Sequence, residues 1–244
     1  MAPRGEGRAE RGDVTDTQDS LAALADDRAL LDRTGTAERV AEILRSRVAE
    51  GHFPPGTQLS EKAISERLGV SRNTLREAFR LLTHERLLEH ALNRGVFVRR
   101  LTVDDLHDIY RVRRLVECAT LRGLGAPPYD LDGLKDAVAL GERAAKEERW
   151  RELGTANIRF HEHLVALGGS PRTDELMRRI LAELRLAFHV MADPRRFHEP
   201  YLPRNGEILQ SLVAGDAPHA ERLLARYLDD SRSQVADAYE RQIG

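Results

Sequence analysis

One cysteine in 244 residues, Cys118, leaves no partner for an internal disulfide and fits a reducing cytoplasm. It reads as a small buried hydrophobe on a helix. No stretch approaches the roughly 20 apolar residues of a membrane span, and the first residues lack the apolar segment of a secretion signal. The expectation is a cytoplasmic chain with no membrane partner. Net charge is small as well, −2 with a pI near 6.5, which argues against sequence-blind coating of nucleic acid. There is no nucleophile–base pair, no Gly-rich phosphate loop and no complete set of metal ligands, so an enzyme is not expected. Repeats and low-complexity tracts are absent, and from Asp104 onward no strand alternation occurs.

What is present is uneven. Residues 60–100 carry nine Lys/Arg against five Asp/Glu, whereas residues 101–244 carry 21 against 24. A basic module on a mildly acidic remainder suits a protein with one nucleic-acid face. Within that module, Ser60 is a good N-cap, Glu61 stands in the first turn, and Ala63, Ile64 and Leu68 give an inward face. Gly69 ends this helix and Val70 plugs the angle to the next. Ser71 caps the second helix, with Leu75, Ala78, Phe79 and Leu82 as its apolar stripe. Arg72, Asn73, Arg76 and Arg80 are left outside, with Ser71 and Thr74 at the leading end. Arginine and asparagine can read guanine and adenine edges, while hydroxyls and a helix N-terminus suit phosphates. Leu87–Glu89 and Val96–Val98 read as a two-stranded ribbon, joined at Asn93-Arg94-Gly95, where Asn and Gly accept a positive φ. Two helices, a tight turn and a ribbon are the layout of a winged helix-turn-helix. The plainer alternative is an ordinary helical hairpin carrying solvated arginines.

The run from Gly51 to Val98 resembles the DNA-binding domain of the GntR family of bacterial transcription regulators. The resemblance is carried by a Gly51…Pro55-Gly56…Leu59-Ser60-Glu61 entry, the turn Leu68-Gly69-Val70-Ser71-Arg72, the helix piece Leu75-Arg76-Glu77-Ala78 and the wing Gly95-Val96-Phe97-Val98. It implies that Lys62, Ser71, Arg72, Asn73, Thr74, Arg76, Arg94 and Gly95 contact double-stranded operator DNA.

Taken in order, residues 1–32 read as a disordered or flexible arm, with a short helix over about 20–32 from Leu21, Leu24, Leu30 and Leu31. The winged helix-turn-helix occupies 33–99; its support helix is capped by Thr36, carries Val40, Ile43, Leu44 and Val48 inward, and ends at Gly51. A linker covers 100–103. Residues 104–242 have helical period throughout: one long helix marked by Leu106, Ile109, Tyr110, Val112, Leu115, Val116 and Leu121, then helices over about 131–147, 149–168, 171–191, 199–214 and 217–242. The fold class is mostly α, with an antiparallel bundle of six helices following the winged module.

The bundle resembles the FCD ligand-binding domain of the FadR subfamily of GntR regulators. The carrying pieces are Tyr110-Arg111-Val112-Arg113-Arg114-Leu115-Val116-Glu117, Asn157 with Phe160-His161, Glu207-Ile208-Leu209, Gly215-Asp216 and Ala225-Arg226-Tyr227-Leu228. Many such domains hold a divalent metal with one Asp and three His. The resemblance puts those ligands at Asn157, His161, Asn205 and Tyr227, so His161 alone is retained. An amide and a phenol are poor partners for zinc-like ions, and no metal or other cofactor is expected. Asn157 and His161 share a helix face at i, i+4. Arg113 stands where the family offers an arginine to an acidic effector. The reading is a small organic acid or related metabolite held by Arg113, Asn157, His161, Asn205 and Tyr227; the alternative is a hydrogen-bonded core with no ligand. The resemblance also implies a homodimer, and a regulator that represses more often than it activates. The rivals are a metabolite- or metal-binding enzyme on the bundle, and a helix-turn-helix that binds protein.

Overall fold

The computed structural model describes residues 35–191 and 193–243; the arm and short helix expected within 1–32 lie outside them. Helix α1 (35–49) buries Ala37, Val40, Ala41, Leu44 and Val48 along one stripe. Ile43, expected inward, sits one residue off that stripe and is 45% exposed. Thr36 is not a cap either, because Gly35 before it is already helical. Gly51 turns the chain out of the helix at φ 81°.

The helix pair follows from its caps. In α2 (Glu61–Leu68) the Ser60 hydroxyl accepts from the Ala63 N–H, and Gly69 closes the helix in the left-handed region at φ 65°. Ala63, expected inward, is exposed; Ser65 takes the buried position, its hydroxyl satisfied by the Lys62 carbonyl at 3.0 Å. In α3 (Arg72–His84) the Ser71 hydroxyl accepts from the Thr74 N–H, and Leu75, Ala78, Phe79 and Leu82 are buried as expected. Each buried Leu or Phe on that face stabilises the packing by about 1.5–3 kcal/mol.

The ribbon has three strands, not two. β1 (Gln58–Leu59) pairs antiparallel with β3 (Gly95–Val98), which pairs antiparallel with β2 (Leu88–Ala91), in the order β1-β3-β2. Two residues are too few to show alternation, so β1 is invisible to a pattern reading. β2 runs Leu88–Ala91 rather than Leu87–Glu89, which brings Ala91 opposite Gly95. The tip turns through Asn93 at φ 59° and Gly95 at φ 101°.

The helical half starts at α4 (Val103–Arg122), opened by a capping box in which Thr102 and Asp105 satisfy each other's backbone N–H. α5 (Asp132–Lys146), α6 (Trp150–Ala166) and α7 (Pro171–His189) follow; the last is capped by Ser170 with Pro171 in its first turn. Where one helix from about 199 is expected, the chain instead makes α8 (Pro194–His198), a 3-10 turn (Glu199–Tyr201) and α9 (Leu202–Val213). Asp193 caps α8 and Pro203 stands in the first turn of α9, so the segment is broken twice. α10 (Ala217–Ile243) closes the bundle, packing along α4 and α9, while α5 packs on α6. Leu115, expected in the core, is 64% exposed because the inward positions of α4 go to Tyr110, Arg113, Glu117 and Leu121. Among the described residues no helix is long and apolar enough to cross a membrane.

The halves are joined by specific contacts. Arg99, just past β3, donates to Glu183 of α7 and, at 2.7 Å, to Asp105 of α4. His189 of α7 donates to the Ala49 carbonyl at 2.9 Å, and the Tyr239 hydroxyl of α10 to the Leu101 carbonyl at 2.9 Å.

Candidate functional site

The basic face is built on α3. Arg72 and Asn73 in its first turn are exposed, and Ser71 adds a 2.8 Å contact to the Thr74 hydroxyl beyond its cap bond. Arg76 is exposed but tethered: its Nε donates to Glu61 of α2 at 2.9 Å. An exposed pair of this kind contributes little stability, so a phosphate or base edge can displace Glu61 at low cost. Lys62 is exposed on α2. At the wing, Arg94 is exposed with its guanidinium 5.7 Å from the Phe97 ring centroid, and the Gln58 amide donates to the Arg94 carbonyl at 2.7 Å. Gln58 therefore holds the tip in place from β1. The sequence reading missed it along with that strand. Gly95 is required where it stands: at φ 101° a Cβ would also come within 3.2 Å of Gln58 Nε2.

The second site lies in the bundle core. Asn157 (α6), Asn205 (α9) and Tyr227 (α10) meet there, the Asn205 amide and the Tyr227 hydroxyl both donating to Asn157 Oδ1 at 2.8 Å. The His161 ring stands 5.0 Å from that of Tyr227. Arg113 (α4) donates from Nε to Glu117 Oε1 at 2.8 Å, and Glu117 Oε2 meets His161 Nδ1 at 2.6 Å. Glu117 was not singled out from the sequence, although it lies four residues from Arg113 in the Tyr110–Glu117 piece. That spacing was the available signal.

Charge states follow from burial and partners. Burial pushes the Glu117 carboxyl up, but Arg113 and then His161 outweigh it and hold the group below the ordinary carboxylate range. Burial acts against the Arg113 charge, yet Glu117 more than restores it. Burial keeps His161 below its ordinary value against the pull of Glu117, so the ring is neutral. A neutral His161 donating through Nδ1 to Glu117 leaves its Nε2 lone pair facing inward. Burial also raises the Tyr227 hydroxyl, which stays a phenol. Three buried polar atoms here have no protein partner: Arg113 Nη2, His161 Nε2 and Asn205 Oδ1. Each costs about 1–3 kcal/mol if left so. Together they offer one cationic donor and two acceptors.

The donor set does not fit a divalent metal. Asn157 Oδ1 is already taken by two donors, Tyr227 is a neutral phenol giving its proton to Asn157, and Asn205 offers an amide. Among the described residues no three His, Cys, Asp or Glu side chains are grouped as ligands. One imidazole among amides is a poor match for zinc-like ions.

Comparison with known proteins places both halves. Residues 36–98 match the family described as bacterial regulatory proteins, gntR family, and residues 108–230 match the FCD domain. The chain is 48% identical to a transcriptional regulator, GntR, from Rhodococcus sp. RHA1 whose crystal structure superposes with a TM-score of 0.80, covering 83% of this chain and 98% of that one. It is 31% identical over 197 residues to the Nta operon transcriptional regulator of Aminobacter aminovorans, covering 78% of this chain and 93% of that protein. It is 32% identical over 138 residues to the gluconate operon transcriptional repressor of Bacillus licheniformis, covering 55% of this chain and 56% of that protein.

Proposed function

The chain belongs to the gntR family of bacterial regulatory proteins, as a member whose second half is an FCD domain, and we propose that it represses transcription as a homodimer on a short palindromic operator. It is a sequence-specific DNA-binding transcriptional regulator controlled by a small-molecule effector. The observation that carries the DNA reading is α3, capped by Ser71, whose buried stripe leaves Arg72, Asn73 and Arg76 outward. In this reading Arg72, Asn73 and Arg76 meet base edges. Ser71, Thr74 and Lys62 meet phosphates, and Arg94 with Gly95 carries the wing to the backbone or minor groove.

The effector reading rests on the unpartnered atoms of the core. Arg113 Nη2 calls for an oxyanion, and His161 Nε2 with Asn205 Oδ1 calls for hydrogen-bond donors. A carboxylic acid bearing a hydroxyl or amino group supplies both, beside Asn157 and Tyr227. Such a ligand acts on DNA binding only through its different affinity for two arrangements of the protein. The path available to it is short: α4 carries Arg113 and also Asp105, which shares Arg99 with Glu183 at the edge of the winged module.

The test is fluorescence anisotropy with a duplex from upstream of the protein's own gene. Arg72→Ala and Arg76→Ala are each expected to lose at least about tenfold in specific affinity, with unchanged elution on gel filtration. Full operator affinity in both variants would refute the placement of the recognition helix.

A further inference from the structure

A concavity of about 470 Å³ lies where the end of α1 meets α6 and α7, and none of Arg113, Glu117, Asn157, His161, Asn205 and Tyr227 lines it. Its volume is that of a small-ligand pocket. Arg151 and Arg159 of α6 and Arg185 of α7 line it, with Thr155 between them. Arg185 is half-buried and donates to the Thr155 hydroxyl rather than to a carboxylate. Burial pulls its guanidinium below the ordinary value; the Glu162 charge opposes that, and the Arg159 charge adds to it. Among the described residues none of the three arginines is in an ion pair, while the acids at the rim are already engaged. Glu50 pairs with Arg47 at 2.9 Å and His52 at 3.2 Å, and Glu152 pairs with Arg149.

Three like charges converging on a concave wall repel one another, and an oxyanion relieves that cost through the forked geometry guanidinium groups share with carboxylate and phosphate. Phe188, Met191 and Pro194 give part of the wall an apolar surface. We propose that this junction is a second ligand site, for a small organic anion whose carboxylate or phosphate is forked by Arg151, Arg159 and Arg185 and whose short apolar body rests on Phe188 and Met191. The far wall belongs to the DNA-binding half: Ser46 and Ala49 of α1 and Glu50 just after it line it. His189, also in the wall, holds the Ala49 carbonyl, and a Cβ on Gly51 would come within 3.0 Å of its ring. A bound anion sits against both Arg185 of α7 and the end of α1, and so acts on the seat of the winged module.

The experiment is calorimetric titration of the full chain at fixed ionic strength with benzoate, phenyl phosphate and inorganic phosphate. Arg151→Ala and Arg159→Ala remove exposed side chains and leave the bundle core intact. Asn205→Ala perturbs the core site alone. At least one organic probe is expected to saturate, more tightly than inorganic phosphate, and to weaken about tenfold in each arginine variant while unchanged in Asn205→Ala. The tighter of the two organic probes identifies the head group the site prefers. Failure of both to saturate, equal affinity in the arginine variants and the parent chain, or a loss that follows Asn205→Ala would each overturn the proposal.

Discussion

Replacing Glu117 with Gln tests the ion pair buried in the bundle. Glu117 is fully buried between Arg113 and His161, and Arg113 is itself 2% exposed. The amide keeps the shape of the carboxylate but removes the charge, leaving the guanidinium buried without an ion-pair partner. Removing one partner of such a pair costs about 3–5 kcal/mol, and Gln, which still accepts one hydrogen bond, belongs near the lower figure. For a chain of this size about 3 kcal/mol lowers the midpoint of thermal unfolding by roughly 6–12 °C. The assay is thermal unfolding followed by circular dichroism, with Arg113→Met, Glu117→Leu and the double variant completing a cycle. The double variant is expected to recover most of the loss of either single one, because an apolar pair replaces two desolvated charges. A Gln variant melting within about 2 °C of the parent chain, or strictly additive losses in the cycle, would refute the coupling between these two side chains.

Other outcomes follow from the same geometry. Arg94→Ala should weaken binding to all duplexes alike and reduce the slope of log affinity against log salt by about one, measured by anisotropy from low to moderate salt. Stability should fall as pH drops below 6.5: burial holds His161 and His189 below that ordinary value and His198 down to about 4, so the unfolded chain takes up protons that the folded one refuses. Urea titrations from pH 8 to pH 4 check this, and His198→Leu should flatten the slope by about 1.4 kcal/mol per pH unit; stability that rises on acidification contradicts it. Arg99→Ala, which cuts the ties to Glu183 and Asp105, should leave operator binding by the effector-free protein within a few-fold while reducing the response to effector, read as the ratio of affinities with and without it.

Local rules sufficed for the ends of the helix pair and for the buried stripe of α3, though not for Ala63 of α2. Ser60, Gly69 and Ser71 punctuate the pair, and the spacing of Leu75, Ala78, Phe79 and Leu82 points one way only, so the outward arginines follow. Spacing failed where a helix buries charge. Leu115 looks like core by spacing, yet the inward place goes to Arg113, whose burial the Arg113–Glu117 pair makes tolerable, and that compensation is a tertiary fact. Asn157, His161, Asn205 and Tyr227 could be brought together only through family resemblance, since they come from three helices up to 70 residues apart. The arginines of the junction pocket look like solvated charge in the sequence, because nothing local tells Arg185 that α1 will cover it.

The two sites share one rigid element. On α6, Arg151, Thr155 and Arg159 recur every fourth residue and line the junction pocket, while Asn157 and His161 on the same helix turn towards the core. A ligand that shifts or stiffens α6 from either side is therefore felt on the other. Linkage makes that effect reciprocal: if benzoate at the junction weakens the core effector by some factor, the effector weakens benzoate by the same factor. Titrating each ligand against saturating amounts of the other measures that factor twice over, and a factor of one would show that α6 does not couple the two sites.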